Sequence, residues 1–187
     1  MRRCVAVLLL AVLAGPSQAF AEGGLAFQYT VENEGSGSVI ESSDLRGFDV
    51  GEGLRLKVRL RQTSYCYLIV GEPGRYRLAF PDPEARSEAA RPTEWAKLPK
   101  STFVRLGENA AVERVFLVVS RSPVPELENA VAQNRKVSEA MALEVRDRYS
   151  PEGSVTREAE GSMVSVKYRP RKDTPSVVVE EIAVRAK

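Results

Sequence analysis

Arg55, Lys57, Arg59 and Arg61 recur at alternate positions in the run Leu54-Arg-Leu-Lys-Val-Arg-Leu-Arg61. In a strand, side chains alternate between faces, so all four line one face over about 20 Å, at roughly 3.3 Å per residue. Such a stripe can hold an anionic polysaccharide, a lipid headgroup or an acidic protein surface. Acidic neighbours on adjacent strands, or plain solvation, answer the same charges. Tyr65 and Tyr67 follow closely, and cation–π contact is expected if they share that face. Trp95 is the single tryptophan. It reads as a core anchor beneath the proline-rich loop before it, with ligand stacking as the alternative. A second basic cluster, Lys167, Arg169, Arg171 and Lys172, surrounds Pro170 and reads as a solvated hairpin tip.

Other chemistries find little material. The chain has no histidine, which excludes Ser-His-Asp and Cys-His nucleophiles and histidine-based zinc sites. Asp82 and Glu84 flank Pro83; paired carboxylates can do acid–base work or bind calcium, but no ligand series surrounds them. No glycine-rich nucleotide motif is present. The expectation is no catalytic residue, no metal and no cofactor.

The first residues read as an export signal. Arg2 and Arg3 precede an apolar run from Val5 to Ala14, and Ala19-Phe-Ala21 offers small residues for cleavage before Glu22. That run is too short to span a bilayer as a helix, so no transmembrane segment is expected after cleavage. Removing residues 1–21 takes away Arg2 and Arg3 and leaves 25 basic against 25 acidic residues. A balanced chain exerts no long-range pull on nucleic acid or anionic membrane. Cys66 is then the only cysteine. It lies in the most apolar strand, so it is expected to be buried and inert.

The elements that position these residues are mostly strands. Leu25–Glu32 is a first strand, and Leu54–Arg61, Tyr65–Val70 and Arg75–Phe80 read as a meander of three antiparallel strands. Tyr65–Val70 is apolar on both faces, as a strand covered on both sides would be. Trp95, Leu98 and Phe103 anchor two short strands, and Arg114–Ser120 is a strong one. Ser122 and Pro123 then read as a helix start. Leu127, Ala130, Val131, Val137, Met141 and Val145 predict a helix over 123–148, with Asn134 as its candidate break. Two closing strands follow within 162–185. The fold expected is mainly β (α+β): an antiparallel β-sandwich or meander sheet, one long helix after the core strands, and two C-terminal strands. Residues 22–187 form a single β-rich domain in this reading.

The segment 48–125 resembles the bacterial domain-of-unknown-function family 4384. The resemblance is carried by Phe48 with Gly51-Glu52, Tyr65-Cys-Tyr67, Leu78-Ala-Phe-Pro81, Leu98-Pro99, and Glu113-Arg-Val-Phe-Leu-Val-Val-Ser120 with Pro123. The chain departs from the family's pattern at Glu52, at Ser64 and in the extra residue of Leu78-Ala-Phe. The resemblance implies a non-catalytic β-domain of exported or envelope-linked bacterial proteins. It supplies no catalytic residue. In it, tyrosines pack a sheet, proline ends a strand, and Ser-x-x-Pro caps the next helix.

The function expected is an exported binding or assembly module, periplasmic or extracellular. Its partner would be another envelope protein or an anionic envelope polymer, not nucleic acid. The alternatives are a hydrolase using carboxylates alone, such as a glycosidase, and an accessory subunit of a secretion or surface system.

Overall fold

Side chains that alternate apolar and charged make a strand with one dry face, and Leu54, Leu56, Val58 and Leu60 are all buried. Each contributes about 1.5–3 kcal/mol by leaving water. A one-residue slip would drive the four cations into the core instead, so the register is strongly specified. The computed structural model describes residues 24–35, 39–40, 46–49, 51–72, 74–81, 87, 89–92, 94–105, 113–133, 136–149 and 154–186. The expected export signal, Asp82, Glu84 and the turn at 151–153 lie outside them.

In chain order the elements are β1 (Leu25–Asn33), β2 (Val39–Ile40), β3 (Arg46–Phe48), β4 (Gly53–Leu60), β5 (Tyr65–Glu72), β6 (Arg75–Phe80), β7 (Trp95–Leu98), β8 (Val104–Arg105) and β9 (Glu113–Ser120). Then come α1 (Pro125–Ala132), β10 (Lys136–Val137), α2 (Glu139–Arg148), β11 (Ser154–Glu160), β12 (Met163–Arg169) and β13 (Val177–Ala186). The first sheet runs β11-β12-β1-β4-β7, with β2 on β1 and β8 on β4. The second runs β10-β6-β5-β9-β13-β3. Pairing is antiparallel except between β13 and β3, which is parallel. This is the expected mainly-β sandwich.

The two sheets enclose one core, filled from the first sheet by Leu25, Phe27, Leu56 and Val58 and from the second by Leu68, Val115, Leu117 and Val178. A second apolar layer lies on the far side of the second sheet. There Tyr67, Ile69, Phe116 and Val118 meet Val124, Leu127, Ala142 and Val145 of the helical segment. The second sheet is therefore dry on both faces, which is why β5 and β9 read as unbroken apolar runs. Cys66 is buried in the inter-sheet core, as expected.

Three expectations need correction. β4 and β5 do not form a hairpin. β4 pairs with β1, β7 and β8, whereas β5 pairs with β6 and β9. Residues 61–64 carry the chain from one sheet to the other; Ser64 bonds Ala90 there through both backbone groups. The β5–β6 hairpin does form, and it is tight: a Cβ on Gly71 would sit 2.1 Å from the Arg75 carbonyl oxygen. Second, the long helix is two short ones, with β10 between them pairing onto β6. Val137 fits the helical spacing but is buried as a strand residue. α2 starts afresh at Ser138, whose Oγ accepts the Met141 N–H at 3.1 Å. Third, β11 joins the two closing strands to make three, pairing with β12 along its whole length.

The helix start also differs. α1 begins at Pro125 rather than Pro123, and its N-cap, Val124, has no side-chain cap. The Val124 N–H donates instead to the Tyr67 hydroxyl, at 3.2 Å. Ser120 does not cap the helix; its Oγ donates to the Ser122 carbonyl at 2.6 Å.

Candidate functional site

Helices cover the outer face of the second sheet, whereas among the described residues no helix packs on the outer face of the first. Its columns follow from register. Arg55, Lys57 and Arg59 of β4 stand opposite Glu32, Thr30 and Gln28 of β1. On the other side Lys57 faces Lys97 and Arg59 faces Trp95, both on β7. The stripe read from the sequence thus lies one strand in from the β7 edge of a five-strand face.

Glu32 answers part of its charge. Its carboxylate accepts from Arg55 Nε and Nη2, at 2.9 and 2.7 Å, and pairs with Lys57 Nζ at 3.2 Å. Burial alone would raise the Glu32 carboxyl; the hydrogen bonds and charges of Arg55 and Lys57 outweigh it and hold the group below its ordinary value. Arg55 also stacks on Phe103, its guanidinium carbon 4.2 Å from the ring centre. Both observations make Arg55 structural. Lys167 pairs with Glu158 at 3.9 Å. Among the described residues, Arg59, Arg61 and Lys97 have no acidic partner. Arg169, which ends β12, and Arg171 and Lys172 just after it are exposed, but β12 and β13 belong to different sheets, so this turn is a crossover between sheets and not the expected hairpin tip.

The aromatic expectations divide. Tyr65 and Tyr67 belong to the other sheet and face the helices, so they share nothing with the stripe. Burial pushes the Tyr67 phenol up, and the negative Glu128 beside it adds to the effect; its hydroxyl meets Glu128 Oε1 at 2.5 Å. Trp95 is not a core anchor. It is 41% exposed, the one large apolar side chain so exposed among the described residues. β7 is an edge strand of four residues, and its inward positions, Ala96 and Leu98, pack on the core in place of the tryptophan.

Two clefts meet at Trp95. One, of about 460 Å³, is lined by Thr30, Lys57, Trp95, Lys97, Ser162 and Met163. The other, of about 710 Å³, lies toward Ala90, Arg91 and Lys100 and shares Trp95 and Lys97 with the first. Thr30 is 7% exposed, and its hydroxyl has no hydrogen-bond partner. Thr30 and Lys97 were not singled out from the sequence. The alternation Gln28, Thr30, Glu32 marks Thr30 as outward-facing, and Lys97 lies two residues from Trp95, hence on its face.

A carboxylate-only hydrolase needs two acids about 5–10 Å apart across a cleft. The clefts around Trp95 present one carboxylate, Glu94. Other acids are engaged by cations: Glu34 by Arg105, Glu126 by Arg148, and Glu180 by Arg157. Among the described residues, no cluster of three metal-ligating side chains occurs, and no helix is long and apolar enough to cross a membrane. No family model, curated protein or solved structure matches the chain. The resemblance to family 4384 therefore rests on its residue pattern alone.

Proposed function

We propose that this chain is an exported, non-catalytic binding or assembly module of a bacterial envelope, working through the outer face of its first sheet. The single observation behind this reading is that face itself. It exposes Trp95 beside Arg59, Arg61 and Lys97, none of which has an acidic partner among the described residues. An exposed tryptophan among uncompensated cations does nothing for the fold. It is the composition expected where a partner supplies the missing contacts. The N-terminal pattern and the resemblance of 48–125 to family 4384 support export and a non-catalytic role.

Capture from an envelope extract tests the proposal. The immobilised chain is expected to retain a specific component. The triple variant R59E/R61E/K97E, equally folded by circular dichroism, is expected to lose it. Capture that is equal for both proteins, or no capture at all, refutes the assignment of this face.

A further inference from the structure

The cleft between Trp95 and Thr30 has more specific chemistry than a charged surface. Lys57 and Lys97 are direct cross-strand partners, an arrangement of like charges that disfavours the sheet unless an anion lies between them. Glu32 reaches Lys57 from the far side of β4, at 3.2 Å, and among the described residues no acid pairs with Lys97. Beside them stands Thr30, a lining residue of the same cleft, more than nine-tenths buried. Trp95 and Met163 give the cleft an apolar wall.

We infer that this cleft binds the carboxylated sugar units of an acidic polysaccharide. This rests on the proposed role of the face as a binding surface. Each requirement of such a ligand is met by a named group. The carboxylate sits between the ammonium groups of Lys57 and Lys97, where charge-assisted hydrogen bonds are strongest. The weakly positive C–H face of the sugar ring lies on the negative face of the Trp95 indole. The cleft volume of about 460 Å³ lies within the range of small-ligand sites. Trp95 and Lys97 also line the neighbouring cleft of about 710 Å³, so an elongated chain crossing the β7 edge meets both. A phosphate polymer is the poorer match. It needs dense positive charge, and the chain without its first 21 residues is balanced at 25 against 25.

Trp95 is the only tryptophan, so its fluorescence reports the site directly. The purified chain is titrated with polygalacturonate, with methyl-esterified polygalacturonate and with polyphosphate. Polygalacturonate is expected to change the emission and to bind more weakly as salt rises. The esterified polymer, which keeps the rings and loses the charges, is expected to bind about tenfold more weakly or less well still. Trp95→Ala, read by calorimetry, and K57Q/K97Q should each lose about tenfold in affinity. Polyphosphate binding as tightly as polygalacturonate, or Trp95→Ala binding as tightly as the parent chain, overturns the inference. So does the absence of polygalacturonate binding. If capture from envelope extract still depends on Arg59, Arg61 and Lys97 in that case, the binding face stands and only the sugar is wrong. If it does not, both readings fall.

Discussion

Arg157 of β11 grips Glu180 of β13 across the gap between the two sheets. Its Nε lies 2.9 Å from Oε2 and its Nη2 2.7 Å from Oε1. Glu180 is 4% exposed and faces the inter-sheet core from the position paired with Leu117. The pair is a clasp at the end of the sandwich remote from β7. Arg157→Leu leaves a buried carboxylate without its cation and is expected to cost about 2–3 kcal/mol. That is at or below the low end of the range for fully buried pairs, since Arg157 is half-exposed. R157L/E180L should recover most of the loss. Denaturant midpoints of both variants check this; a double variant no more stable than the single one contradicts it.

Tyr67 joins the central strand of the second sheet to the first turn of α1. Its hydroxyl accepts from Val124 N–H and bonds Glu128. Tyr67→Phe keeps the ring and leaves both partners unmet, for an expected loss of about 1–2 kcal/mol. Amide exchange over 124–132 should quicken more than exchange in β9. A uniform change across the chain would remove the local role assigned to the hydroxyl.

Stability is expected to fall in alkali. Burial pushes the Cys66 thiol from 9.0 to about 12. Burial, with Glu180 adding and Arg157 opposing, pushes the Tyr29 phenol from 10.0 to about 12. Between those values the unfolded chain has released protons that the native chain still holds. Their contribution is fully present below about pH 9 and is lost as pH rises toward 12. Denaturant midpoints at about pH 8 and about pH 10.5 should therefore differ, and Cys66→Ala should reduce the difference. Native Cys66 should also resist thiol reagents until the chain unfolds.

The acid limb has the opposite sign. Glu32 is held below its ordinary value of 4.5 in the native state. Its contribution is present above about pH 4.5 and is lost as pH falls through the native value. Glu32→Gln should flatten that part of the stability profile while lowering stability at neutral pH. An unchanged acid slope would mean that Arg55 and Lys57 do not depress the carboxyl.

Trp95→Ala should leave stability within about 0.5 kcal/mol of the parent, as surface substitutions do. A core tryptophan would cost about 3–5 kcal/mol. Thermal unfolding followed by circular dichroism separates the two.

Much of the scaffold is legible in the chain. β4 shows its dry face through unbroken alternation, and β5 shows its two dry faces through the lack of any. What fails is partnership across distance. Residues 61–64 have the polar composition of a hairpin turn, and nothing local says that Tyr65 starts a strand in the other sheet. Glu32 answers Arg55 from 23 positions away, so the sequence shows the cations and hides the pairing. Val137 fits a helical stripe and a two-residue strand equally well; its contact with β6 decides between them. Trp95 misleads because an indole is most often buried, while its place on an edge strand is a tertiary fact. The stripe Arg55, Lys57, Arg59 and Arg61 is readable as a face, but the candidate site centres on its junction with Trp95 and Lys97 on β7.

Among the described residues the helices shield one side of the second sheet and none packs on the outer side of the first. The chain thus separates what must be kept from what can vary. Inward residues of β4 and β7 are tied to both sheets at once, and a change in any of them is felt throughout. Of their outward neighbours, Arg55 and Lys57 are held by Glu32, while Trp95 is exposed and Arg59 and Lys97 have no acidic partner among the described residues. Side chains at 59, 95 and 97 can therefore be exchanged while the folded frame stays unchanged.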